Sequence, residues 1–160
     1  MKITGVIITF NEERNIERCL LSLKAVCDEI LVLDSFSTDR TEEICRKNQV
    51  RFIQHAFDGH IQQKNRAMQL AETEWVLSLD ADEALTKELE VAILNIKEHP
   101  IYQAYAFNRL TNYCGHWVKH SGWYPDTKTR FVQKNLARWT GVNPHDRLEL
   151  IDGGKVQTLK

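Results

Sequence analysis

The chain has 160 residues, of which 42% are hydrophobic and 27% charged, and its formal net charge is −1. This composition is typical of one soluble globular domain that is large enough for a real core. No apolar run approaches the roughly 20 residues that span a bilayer, which excludes a transmembrane helix, and the first residues enter a predicted strand without a signal peptide.

The four cysteines show no CxxC pair and no metal-finger spacing, so we expect reduced thiols and a cytoplasmic location. The charge is divided along the chain. Residues 1–100 carry 12 Lys/Arg against 18 Asp/Glu, whereas residues 101–147 carry seven against two and hold nine of the 14 aromatic residues. A basic, aromatic-rich surface suits an anionic or amphiphilic partner, and an aromatic core with solvated charges is the alternative.

The first hundred residues alternate between strand-like and helix-like patterns. Short runs of β-branched and apolar residues predict strands, and apolar residues at positions i, i+3, i+4 and i+7 predict helices. Predicted strands cover residues 3–9, 30–33, 50–54 and 75–79, and predicted helices cover residues 16–23, about 38–45, 62–71 and 85–96. We expect Ser37 or Thr38 to cap the second helix and Pro100 to end the fourth. This alternation predicts a mostly parallel sheet flanked by helices.

After Pro100 the pattern changes towards a smaller, mixed or antiparallel region. Residues 102–109 and 127–133 read as strands, separated by a loop over residues 114–125. Residues 148–151 and 155–159 predict a terminal hairpin around the turn Asp152-Gly153-Gly154. The chain ends on this predicted hairpin without a closing helix, so a truncated C-terminus is expected as one alternative.

Asp80 and Asp82 directly follow the apolar run at residues 75–79, which reads as a buried parallel strand. Residues i and i+2 of an extended chain share a face, so the two carboxylates point the same way. Open α/β sheets bind ligands at the carboxyl ends of their strands, and a divalent cation is a common partner for paired carboxylates. Turn or capping chemistry is the alternative, because Asp also accepts hydrogen bonds from nearby backbone N–H groups.

Two more polar clusters follow predicted strand ends. The first is TFNEE at residues 9–13, and the second is LDSFSTDRT at residues 33–41. Each alone could cap a helix, but three clusters at successive carboxyl ends favour a shared site. The first turn lacks GxGxxG, which argues against a dinucleotide-binding domain.

With QKNRAMQLA at residues 63–71 and LSLDADE at residues 77–83, these motifs resemble family 2 glycosyltransferases of the GT-A fold. The resemblance covers about the first hundred residues and continues more loosely to residue 146. Within the family, the chain is similar to bacterial glucosyltransferases that build the lipopolysaccharide inner core. A single α/β GT-A domain is therefore implied, with residues 1–100 as the nucleotide-sugar-binding half and 101–160 as the acceptor-side half.

The resemblance implies a UDP-sugar donor, with UDP-glucose expected, and Mg²⁺ or Mn²⁺ to stabilise the leaving diphosphate. The nucleotide-binding residues that it implies are Thr9, Phe10, Asn11, Glu12, Asp34, Lys64, Asn65 and Asp80. Asp82 would bind the metal directly, and His145 would be a second metal ligand or a phosphate contact. No nucleic-acid partner is implied.

Family 2 enzymes invert the anomeric centre, which requires a base on the acceptor hydroxyl, and Asp146 matches that position. A surface ion pair of Asp146 with Arg147 or Arg130 is the alternative. The acceptor residues implied are Trp117, Trp123, Tyr124 and Arg130. Five basic residues are expected to contact phosphates of a lipid-linked saccharide acceptor at the inner membrane face: Lys119, Lys128, Arg130, Lys134 and Arg138.

Two other functions remain open from the sequence. One is a phosphotransferase that uses an aspartate of Asp-X-Asp as nucleophile, although such folds usually place the motif after their first strand. The other is a non-catalytic fragment that binds a nucleotide sugar.

Overall fold

A computed structural model describes residues 1–118 and 124–159 of the chain. Its strands are β1 (Ile3–Thr9), β2 (Glu29–Asp34), β3 (Arg51–Gln54), β4 (Trp75–Asp80), β5 (Ala104–Arg109), β6 (Thr111–Tyr113), β7 (His116–Val118), β8 (Asp126–Gln133), β9 (Ala137–Val142), β10 (His145–Leu150) and β11 (Val156–Leu159). Its helices are α1 (Ile16–Lys24), α2 (Thr41–Lys47), α3 (His60–Leu70) and α4 (Lys87–Glu98), with a 3₁₀ turn at Lys134–Leu136.

Seven of these strands form the central sheet, in the order β11-β5-β8-β4-β1-β2-β3. Strand β8 alone runs against its neighbours β4 and β5, and the other neighbouring pairs are parallel. The expected α/β fold with a mostly parallel sheet is therefore confirmed. Strands β6 and β7 form one small antiparallel sheet, and β9 and β10 form another.

The register of the parallel strands brings the polar clusters to one edge of the sheet. Strand β1 lies between β2 and β4, with Thr9 opposite Asp34 and Ile8 opposite Asp80. The carboxyl ends of β1, β2 and β4 therefore lie side by side. Open α/β sheets bind their ligands at this end of the strands. We call this edge, from the end of β2 to the end of β4, the carboxyl edge.

Each face of the sheet carries its own core. On one face, α1, α2 and α4 cover the strands with residues such as Leu20, Cys45 and Ile93, all fully buried. On the other face, α3 and the β9–β10 pair cover them, and Trp139 is part of that core. The β9–β10 pair thus takes the place of a further helix and brings residues 145 and 146 towards α3.

Strand β8 contains a bulge at Arg130. Tyr105 of β5 is opposite Phe131, whereas the next residue, Ala106, is opposite Thr129, so Arg130 has no partner in the ladder. A bulge re-aims the side chain of its extra residue and is common next to active sites. The Arg130 side chain is buried, although it carries a full charge.

Three local predictions are wrong. Residues 148–151 and 155–159 do not pair with each other, because β10 pairs with β9 and β11 joins the central sheet parallel to β5. Helix α2 begins at Thr41 after Arg40 and has no side-chain cap, so neither Ser37 nor Thr38 caps it. The predicted loop at 114–125 contains β7, and its residues 119–123 lie outside the described part of the chain.

Within residues 1–118 and 124–159, none of the helices has the length and apolar character that crossing a membrane requires. The four cysteines are free thiols, and Cys114 is exposed. Burial raises the pKa of the Cys27 and Cys45 thiols to about 12. These two thiols therefore stay protonated at neutral pH and pack as small apolar side chains.

Candidate functional site

Asp34 ends β2 and is fully buried at the carboxyl edge. Its Oδ1 accepts hydrogen bonds from the Thr9 hydroxyl at 2.9 Å and from the Ser37 hydroxyl at 2.5 Å. Its Oδ2 accepts from the backbone N–H of Ser37 at 2.8 Å and from the Gln54 amide at 3.4 Å. Both oxygens are thus satisfied by the chain itself, and every donor is neutral.

The loops that follow β1 and β2 are hydrogen-bonded to each other. The Asn11 backbone N–H donates to Ser37 Oγ at 2.8 Å, and Asn11 Oδ1 accepts from the Thr38 N–H at 2.8 Å. The Glu12 backbone N–H donates to Thr41 Oγ1 at 2.8 Å. Asn11 has a left-handed backbone with φ of 55°, a conformation that Asn tolerates better than most residues. These predicted site residues therefore hold two loops in register.

Two aromatic rings stand exposed beside this double loop. Phe10 is 59% exposed and Phe36 is 53% exposed. Phe36 also has a left-handed backbone, with φ of 62°, which is strained for a bulky residue and is typical of functional sites. The carboxyl edge thus offers flat apolar surface next to a rigid polar network.

Five ionisable side chains meet at the end of β4, and we call them the charged cluster: Lys64, Asp80, Glu83, Arg130 and Asp146. Lys64 Nζ lies 2.7 Å from Asp80 Oδ1 and 2.7 Å from Asp146 Oδ2. Arg130 Nη2 lies 2.9 Å from Asp80 Oδ2 and 2.8 Å from Glu83 Oε1. Asp80 is therefore held between two cations, and α3, β4, β8 and β10 each contribute to the site.

The two cations set the protonation of the carboxylates in the charged cluster. Burial alone would raise the pKa of Asp80, but attraction to Arg130 and Lys64 outweighs it and lowers that pKa to about 2. Burial raises the pKa of Glu83, and the Asp80 charge adds to this while Arg130 opposes it. Burial would lower the pKa of Arg130, but Glu83 and Asp80 raise it, so its guanidinium stays charged.

Trp139 of β9 packs against both cations. Lys64 Nζ lies 4.4 Å from the centroid of the indole ring, and Arg130 Cζ lies 5.6 Å from it. Asn65 donates its amide N–H to the Trp139 carbonyl at 2.9 Å and accepts from the Trp139 N–H at 2.9 Å. The predicted ligand contact Asn65 is therefore occupied at both ends of its amide by the backbone of β9.

The structure places the two predicted metal ligands at the surface beside the charged cluster, Asp82 on one cleft and His145 on another. The Asp82 side chain is exposed, and its backbone carbonyl accepts from Arg18 Nη2. His145 is exposed at the start of β10, next to Asp146. Within residues 1–118 and 124–159, no group of three or more His, Cys, Asp or Glu side chains is arranged to hold a metal ion. Mg²⁺ usually binds through one or two carboxylates and substrate phosphates, so Asp82 fits a metal ion that is shared with a diphosphate.

Two clefts open on either side of β8. The wide cleft, of about 1060 Å³, lies between the start of α4 and the β6–β7 hairpin, and Asp82 and Trp117 line it. The cation cleft, of about 610 Å³, is lined by Lys64, Asp80 and Asp146 together with Trp139. Three basic residues line both clefts: Arg109, Lys128 and Arg130.

The remaining predicted acceptor residues are placed unevenly. Tyr124 is 40% exposed, and Trp123 and Lys119 lie outside the described residues. Lys134 follows β8 and donates to the Ala71 carbonyl at 2.6 Å, near the start of β4. Because β8 runs antiparallel to β4, its last residues lie at the opposite edge from Asp80. Lys134 therefore lies away from the carboxyl edge.

Sequence reasoning did not single out Glu83 or Trp139. Glu83 was within reach, because it follows Asp82 in the LSLDADE motif and its side chain accepts from the Asp80 N–H at 3.0 Å. Trp139 gave no local signal, because its contacts with Lys64 and Arg130 depend on pairing between distant segments.

A family model described as glycosyl transferase family 2 matches residues 4–149. The chain belongs to glycosyl transferase family 2. An uncharacterized glycosyltransferase of Rickettsia bellii (strain RML369-C) is 40% identical to it over 89 residues, which cover 56% of this chain and 30% of that protein. The lipopolysaccharide core biosynthesis glycosyltransferase LpsC of Rhizobium meliloti (strain 1021) is 33% identical over 94 residues, which cover 56% of this chain and 34% of that protein.

Among solved structures, S. aureus TarS in complex with UDP matches this family 2 chain with a TM-score of 0.60 and 26% identity, over 85% of this chain and 48% of that one. The GT-A fold expected from the sequence is therefore confirmed. The chain spans roughly a third of the length of the two curated relatives named above.

Proposed function

We propose that this family 2 domain binds a UDP-hexose, with UDP-glucose expected, and transfers the sugar with inversion to a saccharide acceptor. The observation that carries the proposal is the convergence of Lys64 and Arg130 on Asp80, next to Asp146, at the carboxyl edge. Two buried cations at the end of a parallel strand suit a diphosphate that gains charge as its bond to the sugar breaks. The complex of the similar S. aureus TarS with UDP supports a uridine nucleotide.

The nucleoside part of the donor would lie over the double loop after β1 and β2. Phe10 offers an exposed ring on which a base can stack, and the network around Thr9 and Asp34 keeps the loop rigid. Since the Asp34 oxygens already accept four hydrogen bonds, we assign Asp34 mainly to shaping this pocket. Asn11 and Glu12 would contribute through the loop that they hold.

The charge of the site favours a donor that arrives with a divalent cation. With Arg109 3.7 Å from Glu83, three cations face the three carboxylates of the charged cluster, and Asp82 adds a further acidic group on the wide cleft. A diphosphate would add more negative charge to this set, which is unfavourable without a compensating cation. Asp82, with His145 as a second candidate, would hold a Mg²⁺ or Mn²⁺ ion that also binds the phosphates, and the ion would supply positive charge to the leaving group.

Asp146 is the proposed base. Its side chain is only 10% exposed, and its Oδ2 is bound by Lys64, which leaves Oδ1 to take the proton from the acceptor hydroxyl. Lys64 and Arg130 would stabilise the charge that develops on the leaving diphosphate. Since both cations contact Asp80, that carboxylate sets where they lie.

The acceptor would lie across β8, with its sugar ring on the aromatic face of Trp117 in the wide cleft. Its hydroxyl would reach Asp146 in the cation cleft beside Arg130, which lines both clefts. Arg109 and Lys128 line the same cleft and could contact acceptor phosphates, with exposed Arg138 as a further candidate. The similarity to LpsC supports a lipopolysaccharide core saccharide as acceptor. Tyr124 and Trp123 stay proposed acceptor contacts, and peripheral attachment to the inner membrane face follows from a lipid-linked acceptor.

Asp82→Asn tests the metal step. Calorimetric titration with UDP should give binding in Mn²⁺ that EDTA abolishes, and the variant should lose at least about tenfold in affinity in Mn²⁺. Asp28→Asn is the matched control, because Asp28 lies just before β2 at the opposite edge of the sheet. Equal UDP affinity of wild type and Asp82→Asn in Mn²⁺ would contradict the metal role.

Asp146→Asn tests the base. Transfer from UDP-glucose should slow by a factor of about 10² or more, since general bases contribute on that scale, while UDP affinity changes little. A variant that transfers at the wild-type rate would exclude Asp146. Donor binding by the wild type without any turnover, across a panel of saccharide acceptors, would favour a non-catalytic nucleotide-sugar-binding domain instead.

A further inference from the structure

We propose that Trp139 is a positioning residue of this site, whose indole ring holds the Lys64 ammonium and the Arg130 guanidinium where a donor diphosphate meets them. The inference rests on the proposed function, because it takes a diphosphate to be the group that these two cations receive. It assigns a role to a residue of β9 that lies behind the cations rather than against the substrate.

The distances place both cations within reach of the ring. Lys64 Nζ lies 4.4 Å and Arg130 Cζ 5.6 Å from the centroid, inside the limit of about 6 Å for a cation–π contact. The side chains of both cations are only 7% exposed, so little water screens the attraction. Tryptophan is the strongest of the aromatic partners for such a contact.

An aromatic ring suits this place better than another carboxylate would. Lys64 already donates to Asp80 and Asp146, and its ammonium has three donors. A further carboxylate would neutralise the charge that the diphosphate needs. The face of Trp139 attracts the cation through its quadrupole, so the cation is held in place without a further negative charge that would repel the diphosphate.

The backbone of Trp139 is held by Asn65, the residue next to Lys64. Asn65 makes two hydrogen bonds with the Trp139 backbone, both 2.9 Å long. Lys64 and Asn65 are consecutive on α3, so one turn of the helix carries both the ammonium group and the amide that binds the Trp139 backbone. Trp139 is only 4% exposed and pairs with Leu148 in the β9–β10 sheet, which removes the freedom of the ring to move away.

The indole N–H provides a separate argument. Within residues 1–118 and 124–159, Trp139 Nε1 is the one buried side-chain nitrogen or oxygen without a hydrogen-bond partner. Burying an unpaired N–H is unfavourable, and a phenylalanine would avoid it. The chain carries the larger ring in spite of this, which fits a role for the stronger cation–π face of the indole.

The test compares two substitutions of Trp139 by their affinity for two ligands. Trp139→Met keeps an adaptable apolar side chain but removes the aromatic ring face. Trp139→Phe keeps an aromatic ring face but removes the indole N–H. We expect Trp139→Met to raise the UDP Kd about tenfold in Mn²⁺ and to leave the Kd of uridine, which lacks phosphates, unchanged. Phenylalanine is a weaker cation–π partner than tryptophan, so Trp139→Phe should bind UDP more weakly than wild type, but by no more than about threefold.

Trp75→Met is the matched control. Trp75 is 6% exposed and packs against Phe131, with ring centroids 5.2 Å apart, at the start of β4. It should lose stability on a scale similar to Trp139→Met but keep the wild-type UDP affinity. Thermal unfolding measured beside the titrations separates folding from binding.

If Trp139→Met does not fold, fluorinated tryptophan tests the same point with the shape of the ring retained. Fluorination withdraws electron density from the ring face, so a fully labelled wild-type protein should bind UDP more weakly than the unlabelled one. Labelled Trp139→Phe carries fluorotryptophan elsewhere but not here, and its UDP Kd should not respond to labelling.

Each result bears on one proposal. Wild-type protein that does not bind UDP in Mn²⁺ would overturn the proposed function. Wild-type binding with an unchanged Kd in Trp139→Met would overturn the positioning role alone. So would an equal loss of uridine and UDP affinity, which would mean a purely structural effect, or equal losses in Trp139→Phe and Trp139→Met, which would assign the role to the N–H.

Discussion

Asp34 and Asp80 end the two strands that flank β1, yet they are held by different kinds of partner. Asp34 accepts from the neutral groups of Thr9, Ser37 and Gln54 and is fully buried. Asp80 lies between the cations of Lys64 and Arg130. A network of neutral donors has no charge to offer a ligand and acts as scaffold. Ion pairs can be exchanged for new ones when a charged ligand arrives, which is why we place the proposed diphosphate contacts at Asp80.

Removal of Lys64, the cation that Asp80 and Asp146 share, should cause the largest loss of stability. Lys64→Met leaves Asp80 and Asp146 with no lysine between them, and breaking a buried pair in this way costs about 3 to 5 kcal/mol. Urea unfolding should show this loss. The double variant Lys64→Met/Asp146→Asn should recover part of it, because one unpaired charge is gone. A loss below about 1 kcal/mol in the single variant would mean that the carboxylates are paired by water instead.

A smaller loss is expected at the scaffold. Asp34→Ala leaves the Ser37 N–H and the Thr9 hydroxyl without their acceptor, and unsatisfied buried donors cost about 1 to 3 kcal/mol. Urea unfolding measures this as well. Thr9→Val is the matched control, since it removes one hydroxyl donor and keeps the carboxylate. Should Asp34→Ala be as stable as wild type, the carboxylate would have to serve ligand binding rather than the loop.

The smallest expected effect is a dependence on pH at Asp80. Its pKa falls from an unfolded value near 3.9 to about 2 on folding, so its contribution is present above about pH 4 and disappears as the pH falls through 2. The stability difference between wild type and Asp80→Asn should therefore shrink by at most about 2 kcal/mol between pH 5 and pH 2.

Glu83 should behave in the opposite way. Its folded pKa is raised, so the ionised carboxyl works against folding at neutral pH and that penalty is relieved as the pH falls. The stability of wild type relative to Glu83→Gln should therefore increase on acidification. Parallel pH profiles for Asp80→Asn and Glu83→Gln would contradict the opposed roles of the two carboxyls.

The fold of the first hundred residues could be predicted because its signals are local. Buried parallel strands read as apolar runs, as in Val76 and Leu77, and the stripe of Leu20 and Leu23 gives α1 its period. The resemblance to family 2 then placed Asp80, Lys64 and Asp146 in one site, and the structure brings those three side chains together.

What could not be predicted depends on long-range pairing. The Gly153-Gly154 turn is locally typical of a hairpin, but β10 is already paired with β9, and β11 joins β5, about fifty positions earlier in the chain. The bulge that buries Arg130 exists only in the pairing of β8 with β5. No local pattern marks Trp139 as a partner of Lys64. The LSLDADE motif places Asp82 just after β4, but it does not indicate that the Asp82 side chain is exposed.

The insertion of β8 between β4 and β5 has a consequence for the order in which a growing chain can fold. Strand β4 is complete at residue 80, but its neighbour on one side is made only at residues 126–133, after β5. Until then β5 has no sheet to join, and Asp80 has Lys64 but not Arg130. Synthesis proceeds from the amino end, so the residues of β4 are available before those of β8. The last strand to enter the middle of the sheet therefore also delivers the second cation, so that the architecture and the charge balance of the site are completed in the same step.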